Sequence, residues 1–189
     1  MDGLLLEGLP GIPGQHRIDV GEQRALVVAD AATARRCADL IAGIDESAEH
    51  TPGDIVATAD GTVRLVPAEG GLLPHLTVLG NVVHGHTVTH RVTHRAAAEE
   101  SRFTAQHCGL GDVLDRYPHE ITPGRRRLAG VARALRGHPA VIVLEDAAGL
   151  PTWGSLLRFD HSNPELSSAA LLLITTDTNR TTGFRLVND

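Results

Sequence analysis

Residues Tyr117 to Gly149 read YPHEITPGRRRLAGVARALRGHPAVIVLEDAAG, and three local patterns follow one another in them. Ile121-Thr122-Pro123-Gly124 is a turn. Leu128, Val131, Ala132 and Leu135 recur at helical spacing, which predicts an arginine-studded helix with one apolar stripe. Val141 to Leu144 is a short β-branched run after His138-Pro139, closed by Glu145-Asp146, which predicts a buried strand. Acids at the carboxyl end of such a strand point into the crevice where α/β folds bind ligands.

The whole chain bounds what these patterns can mean. Its 189 residues, 42% of them hydrophobic, suffice for one domain with a buried core. A net charge of −6 argues against a nucleic-acid binder or an anionic-membrane binder, which rely on excess basic charge. All 17 basic residues are arginine, and the chain has no lysine. Cys37 and Cys108 are too few and too far apart for a disulfide framework or a Cys-x-x-Cys site, which predicts a reduced, cytoplasmic setting. The opening MDGLLLEGLPGIPG lacks a basic region and a long apolar run, so neither a signal peptide nor direct membrane insertion is expected.

The succession of turn, helix and acidic strand resembles the ATP-binding cassette (ABC) ATPases, whose signature motif, helix and Walker B strand follow in this order at about this spacing. The resemblance extends from Leu4 to about Thr182 and implies an α/β fold. That fold is a P-loop NTPase-like (RecA-like) core with an N-terminal antiparallel β subdomain and an inserted helical subdomain. It divides the chain into residues 1–75 and 129–189 for the core and β subdomain, and 76–128 for the helical subdomain.

Outward from the centre, the elements expected are a strand at Leu4 to Leu6, a loop at Pro10 to Gly14, a strand at Ala25 to Val28 and a helix from Ala34 to Ile44. Leu40-Ile41-Ala42-Gly43 matches the end of the family's first helix and sets the register. The phosphate loop then falls on Val28, Ala29, Asp30, Ala31, Ala32, Thr33, Ala34, Arg35 and Arg36. Its glycines are replaced by Val28, Ala31 and Thr33, its lysine by Ala34 and its magnesium-holding hydroxyls by Arg35 and Arg36. Side chains there cost strain or block the phosphate. Residues 54–57 and 62–66, joined at Asp60-Gly61, read as a hairpin. The phrase Leu72-Leu73-Pro74-His75-Leu76-Thr77-Val78 resembles the family's entry into the helical subdomain, with Ala68 in place of the γ-phosphate-sensing glutamine.

Between Asn81 and Leu114 the chain reads as mostly helical, with His84, His86, His90 and His94. His86, His90 and His94 at i, i+4, i+8 would form one stripe, either a polar face or a weak metal site. In the signature turn, Thr122, Pro123, Gly124 and Arg125 stand for Ser-Gly-Gly-Gln. Arg125 to Arg127 read as a basic helix face, as the family also has, rather than as a nucleic-acid patch. The Walker B pair is inverted to Glu145-Asp146, the catalytic acids if the chain is active. A short helix (152–159), a buried strand (169–175) and a terminal strand (184–187) complete the chain, with Thr176 in place of the switch histidine.

Packing phrases are kept while aligned catalytic positions are changed. The resemblance therefore implies a non-hydrolysing cassette subunit with no cofactor, working beside an intact ABC ATPase subunit or a membrane permease, as a homo- or heterodimer, at the inner face of the membrane. Two alternatives stand beside it. One is an active ATPase that uses ATP and magnesium through Arg35 or Arg36 and Glu145; the other is a His-rich metal-binding module.

Overall fold

A computed structural model describes residues 3–44, 55–89, 94–157 and 164–189. The strand expected after Tyr117–Gly149's helix is the second of a five-stranded parallel sheet. In chain order the strands are β1 (Gly3–Glu7), β2 (Gln15–Asp19), β3 (Gln23–Val27), β4 (Val56–Ala59), β5 (Val63–Val66), β6 (Val141–Glu145), β7 (Ala170–Thr175) and β8 (Arg185–Leu186). The parallel sheet runs β5-β6-β7-β3-β8, and a smaller antiparallel sheet runs β2-β1-β4. β6 and β7 are buried almost throughout, which is why both are continuous apolar runs rather than alternating ones.

The helices are α1 (Ala31–Ile41), α2 (Val78–Thr89), α3 (His94–His107), α4 (Pro123–Leu135) and the single turn α5 (Trp153–Leu156). The parallel sheet separates two cores. On one face Val141, Val143, Leu172 and Ile174 pack with Cys37, Ala38 and Ile41 of α1 and with Leu4, Leu6 and Ile18 of the small sheet. On the other, Ile142, Leu144, Leu171 and Leu173 pack with α4, Trp153 and the helices α2 and α3. Alternation along β6 therefore aims Glu145 toward α1 and Asp146 toward α4.

The phrase before α2 is a packing device. Asn81, fully buried, accepts from Leu73 N–H at 2.7 Å and donates to the carbonyls of Leu73, Leu76 and Thr77 at 3.0–3.2 Å. One side chain thus pairs with four backbone groups of the entry loop. The preceding turn lies on α4: Gly70 has φ +91°, and a Cβ there would stand 2.2 Å from the Arg126 carbonyl, while one on Gly130 would meet Gly70 O at 2.5 Å. Arg133 of α4 donates to Gly71 O at 2.6 Å.

Three expectations are corrected. The hairpin does not form: β4 pairs antiparallel with β1, and β5 pairs parallel with β6, so the chain crosses between sheets at Asp60-Gly61. The apolar Val63 to Val66 matches the buried parallel sheet better than a two-stranded ribbon. α1 begins at Ala31 rather than Ala34. Of the histidine stripe expected on one helix, His86 belongs to α2 (Val78–Thr89) and His94 to α3 (His94–His107). His90 lies outside the described residues.

Candidate functional site

The carboxyl ends of β3, β6 and β7 converge, and this is where an open parallel sheet binds ligands. After β3 the chain makes only Val28, Ala29 and Asp30 before α1 begins. Asp30 is the N-cap. Its Oδ1 accepts from Thr33 N–H at 2.8 Å, and its Oδ2 from the Thr33 hydroxyl at 3.0 Å. These bonds hold the carboxyl below its ordinary range. Ala31, Ala32 and Thr33, expected in a loop, are the first turn of α1, and Ala34, Arg35 and Arg36 its second. The cause is local: an aspartate cap followed by alanines and arginines, with no glycine to open the turn, propagates helix.

A helix N-terminus attracts anions through its free N–H groups. Here the chain's own carboxylate already takes that place. The residues present do not fit a magnesium-bound triphosphate: Ala34 brings no ammonium, Arg35 and Arg36 bring no hydroxyl, and Asp30 sets a negative charge at the phosphate position.

Arg35 is spent inside the chain. Its guanidinium donates to Asp39 one turn on at 3.1 Å and lies 3.5 Å from Glu145. Burial pushes the Glu145 carboxyl up, and the Arg35 charge and the Ala68 N–H only partly counter it. The replaced glutamine position therefore contributes its backbone to the cleft, not a side chain.

Asp146 is held by a different set of groups. Its Oδ1 accepts from Arg127 at 3.3 Å and from Arg180 at 2.8 Å; its Oδ2 accepts from the Thr175 hydroxyl at 3.0 Å and from Arg180 Nε. Burial alone would raise this carboxyl, but the bonds from Arg180 and Thr175, the Arg180 charge and the Arg127 bond outweigh it and hold it low. A carboxylate has about four lone-pair sites, and all are taken.

Arg127, read from the sequence as part of a basic helix face, has a fully buried side chain. It donates to Pro151 O at 2.7 Å and lies 3.9 Å from the centre of the Trp153 ring. Trp153 in turn donates to Glu145 O at 2.8 Å. Arg127, Trp153 and Arg180 are the residues sequence reasoning missed. The signal available was Trp153, whose polar N–H needs a buried partner. Thr176 is exposed, while the hydroxyl of its neighbour Thr175 bonds Asp146.

The signature turn stands apart from this cleft. Thr122 caps α4 by accepting from Arg125 N–H at 3.4 Å, Pro123 occupies the first helical position, and both are exposed. Gly124 is buried against Leu156 and Pro151. Arg125 forks onto Asp112, its second bond being 3.2 Å. In the helical layer, His86 is buried, with Nδ1 3.2 Å from both the Arg136 carbonyl and its guanidinium and Nε2 3.6 Å from Glu100. Its partners are those of a buried interhelical contact. Among the described residues no group of three or more His, Cys, Asp or Glu is placed to hold a metal ion, and no helix is long and apolar enough to cross a membrane.

No family model matches the chain. Its curated relatives include the sulfate/thiosulfate import ATP-binding protein CysA of Bradyrhizobium diazoefficiens, 30% identical over 145 residues, which are 70% of this chain and 41% of that one. The molybdate/tungstate import ATP-binding protein WtpC of Archaeoglobus fulgidus is 32% identical over 125 residues, 58% and 51% of the two chains. The thiamine import ATP-binding protein ThiQ of Haemophilus influenzae is 27% identical over 140 residues, 68% and 62%. The chain thus spans less than two thirds of each of these relatives. Among solved structures, CbiO1 of Clostridium perfringens, part of the ABC transporter complex CbiONQ, superposes with a TM-score of 0.72 at 17% identity over 95% of this chain and 81% of that one. A dimeric bacterial ABC transporter cassette superposes with a TM-score of 0.67 at 15% identity, covering 98% and 95%. The relatives of this chain are ATP-binding proteins of ABC transporters, and its fold is that of the ABC ATPase cassette.

Proposed function

We propose that the chain is a cassette subunit of the ABC transporter class that neither binds Mg-ATP nor hydrolyses it, and that acts by binding a partner. The observation that carries this is the saturated Asp146 carboxylate: the acid placed to polarise water has two arginines and a threonine on its oxygens. The Asp30 cap at the start of α1 supports it from the other side of the cleft. Electrostatic clamping of the transferring phosphate supplies most of the catalysis in phosphoryl transfer, and losing one such group typically costs about 10² to 10³ in rate. No cofactor is required by this function.

The partner is an intact ABC ATPase subunit or a membrane permease, which would place the chain at the inner face of the membrane. The exposed Thr122 and Pro123 at the start of α4 are the part of the signature turn left open to a neighbouring chain. In a pair with an active subunit, the working site would combine the partner's phosphate loop with this turn. Residues 1–75 and 129–189 would then act as core and β subdomain, and 76–128 as the helical subdomain that meets a permease. Affinity isolation from the native host tests the proposal. It predicts recovery of a cassette or membrane subunit, and a changed ATPase rate of the complex on Thr122→Ala; recovery of the chain alone refutes it.

A second reading is favoured by these relatives, which are ATP-binding import proteins. In it the chain is an active ATPase with ATP and magnesium, using Arg35 or Arg36 as cation and Glu145 as acid. Saturable turnover by the isolated chain, lost on Glu145→Gln, is its signature.

A further inference from the structure

The cluster around Asp146 draws on four separate pieces of chain: Arg127 from α4, Asp146 from the end of β6, Thr175 from the end of β7 and Arg180 from the turn that follows. Its arginines also hold an irregular segment. Arg180 donates to the carbonyls of Ala147 and Leu150 at 3.0 and 2.9 Å, and Arg127 to that of Pro151 at 2.7 Å. Backbone carbonyls in such a segment need donors from somewhere, and here guanidiniums supply them. Arg127, with no exposed side-chain surface, would be an uncompensated buried cation without Asp146. The parts therefore stand or fall together. α4 in turn packs on both α2 and α3, so whatever fixes α4 fixes the helical layer.

We infer that this cluster is an internal ionic brace that locks α4, and with it the helical layer, onto the carboxyl end of the sheet without any ligand in the cleft. Arg180 and Arg127 supply from within the chain the positive charge that this buried carboxylate needs. A cassette braced in this way offers a partner one fixed surface. The brace acts in the ligand-free chain, so it holds whether or not nucleotide can bind elsewhere.

Hydrogen–deuterium exchange on the full chain, with no nucleotide added, tests it by comparing wild type with Arg180→Ala and Asp146→Asn. Both substitutions should speed exchange at least about tenfold in three places at once, residues 147–151, residues 178–184 and the first two turns of α4. Combining them should add little to Asp146→Asn alone, because residues that act as one unit are not additive. Faster exchange confined to residues 178–184 in Arg180→Ala, with α4 and 147–151 unchanged, would overturn the inference and reduce Arg180 to a local clamp. If Asp146→Asn does not fold, Arg180→Lys keeps the charge but loses the fork, and the same two outcomes decide the matter.

Discussion

Asp146→Asn and Glu145→Gln each remove one negative charge from adjacent residues of one strand end, and they should act with different sizes and pH signs. The Asp146 side chain is 3% exposed and faces Arg127, which is 0% exposed. With so little solvent no screening discount applies, and breaking a buried pair on one side costs about 3–5 kcal/mol. Arg180 is 15% exposed and relaxes in part, so the lower figure of about 3 kcal/mol is the better one. For a chain of this size each kcal/mol shifts the melting temperature by about 2–4 °C, giving a fall of about 6–12 °C at pH 7. Glu145 is opposed by its own burial and assisted by Arg35, which is 63% exposed and so contributes about 0–1 kcal/mol. Glu145→Gln should melt within about 4 °C of wild type.

The pH dependence separates the two acids further. Asp146 has a depressed folded value, so its stabilisation is fully present above the ordinary carboxyl value of about 3.9 and is lost as pH falls through the folded value. The gap between wild type and Asp146→Asn should therefore close below about pH 4. Glu145 has a raised folded value, so wild type loses stability relative to Glu145→Gln as pH rises above the ordinary glutamate value of about 4.3. Calorimetry or thermal unfolding between pH 3 and pH 8 is the assay. An Asp146→Asn protein that melts within 4 °C of wild type at pH 7, roughly 1 kcal/mol, refutes the reasoning.

Other substitutions test the packing that carries the fold. Gly70→Ala combines a positive φ with a Cβ 2.2 Å from Arg126 O, so urea unfolding should show a loss of about 2–4 kcal/mol. Asn81→Ala strands the Leu73 N–H and several carbonyls of the entry loop, which should cost roughly 2–4 kcal/mol by the same method. His86→Ala should destabilise the helical layer through its lost contacts with Arg136, whereas zinc or nickel should leave the wild-type melting temperature unchanged. A stoichiometric metal in protein purified without a tag, lost on His90→Ala, would contradict the last expectation.

Strands β6 and β7 were legible as continuous apolar runs, and helix α4 by its apolar residues at helical spacing, because all three are buried. β2 was not, because Gln15-His16-Arg17-Ile18-Asp19 buries only Ile18 and lies at a sheet edge. The false hairpin came from a good turn, Asp60-Gly61, between two runs whose partners are far away in sequence. The register taken from Leu40 to Gly43 put a loop on Val28 to Arg36, of which only Val28, Ala29 and Asp30 precede α1. It could not show that Asp30 caps the helix three residues early, because a cap is decided by one side-chain bond. Arg127 looked like its neighbours Arg125 and Arg126, and only the fold turns it inward onto Asp146. Arg180 lies 34 residues from Asp146, beyond any local pattern.

The proposed function requires a cleft closed to Mg-ATP by the chain's own charges. Equilibrium binding of Mg-ATP to the purified full-length chain, with turnover measured on the same sample, tests it most directly. No saturable binding, no ATP-dependent rise in melting temperature and no turnover above a blank are predicted. Saturable binding with turnover that disappears on Glu145→Gln would contradict it.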